Sequence, residues 1–233
     1  MSVPSSGKLV SSRGTGSAMS INRTEWSGLF SGVLSDILDE LGVFGQASTQ
    51  QFKHVDPDTR IIGLAATARA VPVSTPPREP YAKLLGAIDS LSPAEVLVLS
   101  APESSTSSLF GGLLATAVAQ AGGAGALIDG YIRDADEVRR IGVPTAFRGS
   151  SPLDSFGRDE VVETGGPVSI GGVTVRPGDF VLCDSDGLVV VPAEHLEQVL
   201  DLAAKKLTRE SQMRAALKDG MGVATAFQEF GVL

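Results

Sequence analysis

Between Ile61 and Phe147 the chain alternates short apolar runs with amphipathic ones, and this alternation restricts the fold more than any other feature of the sequence. Ile61–Val73, IIGLAATARAVPV, is rich in small and β-branched residues and reads as a strand. Residues 81–92 carry Leu84, Leu85 and Ile88 at helical spacing, and Pro93 then introduces the buried strand Glu95–Ser100, EVLVLS. A Ser-rich loop, ESSTSSLFGG, leads to a helix from about Gly112 to Ala121, stopped by Gly122 and Gly123. AGALIDG follows as an apolar strand, Asp134–Ile141 as a short helix and Val143–Phe147 as a further strand. Strand and helix in strict alternation imply right-handed βαβ units and a parallel portion of sheet.

The flanks differ in character. Leu29, Phe30, Val33, Leu34, Ile37, Leu38 and Leu41 form one apolar stripe, with Asn22 and Glu25 as an N-terminal capping pair and Gly42 as the stop. After Phe147, PVSIGGVTVRPGD places Gly171-Gly172 between two alternating runs, and FVLCDSDGLVVV repeats the device with a turn at Asp184–Gly187. Pro192 opens a long last helix that ends by Gly220, and the final MGVATAFQEFGVL packs back or reaches a neighbouring subunit. Residues 1–20, rich in Ser and Gly, read as a flexible tail ahead of one domain at 21–233.

Charge narrows the function classes. A net charge of −8 with no cluster of Lys and Arg gives no footprint for nucleic acid, and no apolar run has the length of a membrane span. Cys183 is the only cysteine, which points to a reducing, cytoplasmic setting. One cysteine and two scattered histidines, His54 and His195, do not make a structural zinc site. Any metal here is a hard ion held by carboxylates and water.

Two motifs can carry chemistry. Gly111 and Gly112 precede a helix, so a ligand can approach unpaired backbone amides whose dipole favours an anion. The same pair also serves as an ordinary tight turn, and it lacks the spacing of a dinucleotide fingerprint. Arg133 and Asp134 stand at a strand end, where the arginine can clamp a carboxylate and the aspartate can hold a hard cation. Asp134 followed by Glu137 is equally a good N-cap with its partner at the third helical position. Asp184 and Asp186 are cation donors or turn formers, and Cys183 reads as an inert buried thiol.

FGGLLATAVAQAGGAGALIDGYIRD, Phe110 to Asp134, resembles the central signature of the RraA-like family. That family includes class II aldolases acting on 4-hydroxy-4-methyl-2-oxoglutarate and 4-carboxy-4-hydroxy-2-oxoadipate. SGVLSDILDELG, RIIGLAATARAV, PAEVLVLSA, IGVPTAFRG and PGDFVLCDSDGLVVVPAEHLEQVL match in order, from about Thr24 to Gly220. The resemblance implies an α/β fold: a single mixed-sheet domain of the swivelling αββαβαβ type with an N-terminal helical arm and a long C-terminal helix. It implies that the backbone of Gly111, Gly112, Leu113 and Leu114 receives a substrate carboxylate, with Arg133 as the substrate-binding arginine and Asp134 as the metal-binding aspartate. It further implies a homotrimer or hexamer in which Glu210 completes a neighbour's metal site through water, with Mg²⁺ as the ion and Mn²⁺ as its alternative. The expected reaction breaks a C–C bond of a small 2-oxo acid through a pyruvate enolate, by aldol cleavage or by decarboxylation of oxaloacetate. One departure stands out: the aldolases carry an acidic residue where this chain has Gly112, and Glu103 or another subunit is the expected substitute. The alternative is a non-catalytic regulator of ribonuclease activity acting by protein contact.

Overall fold

A computed structural model describes Trp26 and residues 28–233; the expected tail and the Asn22–Glu25 cap lie outside the described residues. In chain order the elements are α1 (Ser31–Glu40), β1 (Ala47–Ser48), β2 (Lys53–His54), β3 (Ile61–Pro72), α2 (Ala82–Asp89) and β4 (Glu95–Ser100). There follow β5 (Ser108–Phe110), α3 (Gly112–Gln120), β6 (Gly125–Ile132), α4 (Ala135–Ile141), β7 (Thr145–Ser150) and β8 (Asp159–Thr164). The chain closes with β9 (Val168–Ile170), β10 (Val173–Val175), β11 (Phe180–Cys183), β12 (Leu188–Val191), α5 (Leu196–Lys218) and α6 (Val223–Phe230).

The four apolar runs become the parallel centre of one mixed sheet, in the order β3-β4-β6-β7. Antiparallel strands extend it on both sides, β11, β12 and β1 beyond β3 and β2 beyond β7. β8 pairs the second half of β3, from Ala68 to Pro72 across a register shift between Arg69 and Ala70, while β11 pairs the first half. β3 thus serves two antiparallel partners along its length, and the sheet curls.

β4 and β6 are buried along most of their length, and their apolar runs Val96–Leu99 and Ala126–Ile128 are covered on both faces. Leu97, Leu99, Ile128 and Ile132 face α2, α3 and α4, meeting Leu84, Ile88, Ala115, Val118 and Val138. Val96, Val98 and Leu127 face inward, against Ile170 and Val175 of the β9–β10 hairpin and Val181 and Val190 of the β11–β12 hairpin. A third core sets Leu34, Ile37 and Leu38 of α1 and Val199 and Ala203 of α5 on Phe180, Leu182 and Val191. α6 folds back onto α5 through Ala226 and Met213.

Both expected hairpins form. Gly171 and Gly172 have φ 54° and 83°, as a two-residue turn of primed type requires, and the Asp184–Gly187 turn joins β11 to β12. The helix α1 starts later than its stripe, at Ser31. There the buried Asp184 carboxylate accepts hydrogen bonds from the Ser31 amide and hydroxyl, each 2.8 Å. That role removes Asp184 as an open cation site. The Ser-rich loop contains β5, and the polar connection after α1 contains β1 and β2; all three are too short to show a period of their own. Among the described residues no helix is long and apolar enough to cross a membrane.

Candidate active site

The loops at the C-terminal ends of the parallel strands converge beside α3. The Arg133 amide donates to the Phe110 carbonyl at 3.0 Å, which ties the exit of β6 to β5 and sets the Arg-Asp pair against the Gly-Gly turn. A cleft of about 230 Å³ opens there, walled by Tyr81, Leu85, Gly111–Leu114, Arg133, Asp134 and Asp154.

Asp134 precedes α4 with φ 54° and ψ 36°, in the left-handed region. Its carbonyl accepts the Glu137 and Val138 amides, both 2.9 Å, so its backbone starts the helix, but its side chain caps nothing. The capping-pair alternative is therefore not realised. The carboxylate turns into the cleft, where the Gly112 amide makes a long hydrogen bond to Oδ2, 3.4 Å, and Arg133 Nε lies 3.8 Å away. The Arg-Asp pair packs closely on Gly111: a β-carbon there would stand 3.1 Å from both Asp134 Oδ2 and Arg133 Cγ.

Arg133 is held by a residue that sequence reasoning missed. Its guanidinium pairs with Asp154 at 3.2 Å, and Asp154 also accepts the Tyr81 hydroxyl at 2.9 Å. The Phe156 amide, against the opposing effect of burial, and then the Tyr81 hydroxyl and Arg133 hold the Asp154 carboxyl below its ordinary value. Burial and the Asp154 bond push the Tyr81 phenol upward, so it stays a donor. Neither residue has a local sequence signal, because each reaches the cleft from a loop far from the Arg-Asp pair.

The expected carboxylate substitutes separate cleanly. Glu103 lines a different hollow, with Arg69, Asp129 and Arg148, so it does not stand in at Gly112. The carboxyl group of Glu137 occupies the space that a side chain at 112 would enter. Glu210 sits half-buried on α5, away from the cleft lining, and within one chain the fold does not bring it to Asp134. His54 Nε2 lies 3.2 Å from the Asp184 carbonyl, and His195 precedes α5. Burial first, then Asp184, pushes the Cys183 thiol up to about 12, which keeps it inert.

Among the described residues no group of three or more His, Cys, Asp or Glu side chains gathers as a ready-made metal cage. The donors at the Gly111-Gly112 turn are hard carboxylate oxygens beside open cleft. That set suits Mg²⁺ or Mn²⁺, which keep several waters and take few protein ligands.

The model of the RraA-like family, described as Aldolase/RraA, matches residues 34–190. The chain belongs to the RraA-like family. The matched span contains every cleft residue named above and stops before Glu210. This RraA-like chain is 28% identical over 196 residues to a provisionally named 4-hydroxy-4-methyl-2-oxoglutarate aldolase of Halalkalibacterium halodurans, covering 84% of this chain and 88% of that one. It is 29% identical to the 4-hydroxy-4-methyl-2-oxoglutarate aldolase of Thermus thermophilus, over 68% of this chain and 90% of that protein. Among solved structures it is similar to RraAS2 of Streptomyces coelicolor, described as an unusual member of the RNase ES inhibitor RraA protein family. That likeness has a TM-score of 0.72 and 31% identity, over 82% of this chain and 94% of the other.

Proposed function

We propose that this RraA-like chain is a divalent-metal-dependent carbon–carbon lyase that releases pyruvate from a small 2-oxo acid. The observation that carries the reading is the Asp134 carboxylate, turned off its own helix and into the cleft beside Arg133 and the Gly112 amide. The aldolase names of two relatives support it. The cleft volume, about 230 Å³, suits a small acid.

The amides at Gly111–Leu114 and the Arg133 fork bind the carboxylate and orient the 2-oxo group. Asp154 and Tyr81 keep Arg133 in place, so the arginine meets the developing oxyanion without rearranging. Asp134, with Glu210 from a neighbouring subunit acting through water, would hold Mg²⁺ or Mn²⁺. When bound, the ion supplies Lewis-acid stabilisation of charge on the 2-oxo oxygen. In aldol cleavage the C3–C4 bond breaks, its electron pair passes through C3 to the 2-oxo oxygen, and the C4 hydroxyl loses its proton to become a carbonyl. Protonation at C3 then yields pyruvate. Oxaloacetate gives the same enolate by losing carbon dioxide. Among the described residues no lysine lines the cleft, so a Schiff-base route finds no nucleophile among them. The reading places the enzyme in the cytoplasm as a homotrimer or hexamer.

The test is pyruvate release coupled to lactate dehydrogenase, from 4-hydroxy-4-methyl-2-oxoglutarate and from oxaloacetate, with Mg²⁺, with chelator and in Asp134→Ala. Metal-dependent turnover lost in Asp134→Ala is expected. No pyruvate from either acid, with folded protein and ample metal, rejects both activities. A second reading, regulation by protein contact, draws on the likeness to an RNase inhibitor and on the apolar rim of the cleft, where Leu113 is 85% exposed beside Leu85. It becomes the leading reading if pyruvate release fails.

A further inference from the structure

The lining of the cleft divides by chemistry. Its charged groups are Arg133, Asp134 and Asp154, and Arg133 is the one cation among the described residues there. That guanidinium already faces two carboxylates, Asp154 at 3.2 Å and Asp134 at 3.8 Å. The serines of the lining, Ser108 and Ser155, are buried, and the Ser108 hydroxyl donates to the Ser151 carbonyl. Most of the remaining wall is apolar: Leu84 and Leu85 of α2, Leu113 and Leu114 of α3, and the Tyr81 ring. Leu85 and Leu113 are exposed at the mouth, and Phe156, exposed as well, lies beside the Tyr81 ring with centroids 6.4 Å apart. Single exposed apolar side chains are ordinary on a protein surface, but three gathered at one opening mark a place for an apolar group.

We infer that the cleft selects a 2-oxo acid whose C4 carries an alkyl chain or an aromatic ring and no second carboxylate. The inference rests on the lyase reading of the same site. With the first carboxylate and the 2-oxo group held at Arg133 and the Gly111–Leu114 amides, the described lining has no cation left for another anion. A second carboxylate, such as that at C5 of 4-hydroxy-4-methyl-2-oxoglutarate, would lose water against leucines and add to the charge of Asp134 and Asp154. An alkyl or phenyl group gains by covering the same leucines. Leu85 and Leu113 are therefore specificity-determining residues, one from each helix at the mouth. Aldol cleavage of such an acid breaks the C3–C4 bond, and C4 leaves as the carbonyl of an apolar aldehyde beside pyruvate.

The experiment uses the full chain with Mg²⁺. Calorimetry compares pyruvate, 2-oxo-4-phenylbutanoate and 2-oxoglutarate, which share the 2-oxo acid head and differ beyond C3. Turnover is followed as benzaldehyde from 4-hydroxy-2-oxo-4-phenylbutanoate and as pyruvate from 4-hydroxy-4-methyl-2-oxoglutarate. Wild type should bind the phenyl acid roughly tenfold more tightly than pyruvate, and 2-oxoglutarate no more tightly than pyruvate. Leu85→Arg and Leu113→Arg, both at exposed positions that tolerate substitution, should each lower the preference for phenyl over glutarate roughly tenfold. Benzaldehyde should form faster than pyruvate, and the same variants should narrow that difference. Binding of 2-oxoglutarate as tight as that of the phenyl acid, or a preference unmoved in both variants, overturns the inference; pyruvate release would then leave the lyase reading standing. A phenyl preference in binding with no product from either hydroxy acid rejects the lyase reading and leaves the apolar subsite standing. Binding of none of the three acids overturns the inference and gives the leucine mouth to protein contact.

Discussion

Asp134 occupies a backbone region that costs a non-glycine residue of order 1–3 kcal/mol, and the return is a carboxylate freed from its helix. The same logic of environment over identity governs Cys183. Its thiol is buried against apolar neighbours, with its pKa raised from 9.0 to about 12. Because the folded value is the higher one, the stabilising contribution is fully present below pH 9 and is lost as pH rises towards 12. Native protein at pH 8 should therefore leave the thiol unreacted with Ellman's reagent, and denaturant should expose one equivalent. Rapid labelling of the native fold would contradict the buried, protonated thiol.

Among the elements, α1 shows how a helix terminus can be set from outside its own segment. Asp184 takes the Ser31 amide and hydroxyl at 2.8 Å each and the Asp186 amide at 3.0 Å, so one buried carboxylate closes both the helix start and the β11–β12 turn. Asp184→Ala should cost about 3 kcal/mol in urea unfolding, through a lost cap and buried donors without acceptors. Pyruvate release per folded molecule should be unchanged, since the cleft lies elsewhere. A loss below about 0.5 kcal/mol, the size of an ordinary surface substitution, would show that the cap carries little. On the far side of the same helix, the buried ammonium of Lys206 meets Asp36 at 2.6 Å and fastens α5 to α1.

At the level of the whole molecule the cleft is open on one side: the side chains of Arg133 and Asp134 remain 42% and 47% exposed, and Leu113 projects into solvent. A lyase that must exclude water from a developing carbanion needs that side covered. Under the proposed assembly the cover is another subunit, and Glu210 works on a neighbour's Asp134. Asp134→Ala and Glu210→Ala should then each be inactive alone, yet regain pyruvate release when the two are dissociated, mixed and reassembled. Absence of recovery, with mixed oligomers confirmed by mass, would place Glu210 outside the site.

The parallel centre and both hairpins are legible in the amino-acid sequence. Their signals are local: alternation and apolar runs at Ile61–Val73, Glu95–Ser100 and the strand after Gly123, and paired glycines at 171 and 172. The sequence also marked Gly111, Gly112, Arg133 and Asp134, which the fold brings to one cleft. The remaining features arise from contacts between distant parts of the chain. β1, β2 and β5 exist only because longer strands offer them partners. The start of α1 depends on a residue 153 positions away. Tyr81 and Asp154 meet Arg133 from separate loops, and Glu137 fills the space above Gly112 from the next helix. Periodicity is written between neighbours in the chain; which carboxylate stands against which amide is a distance through space, and only the closed fold sets it.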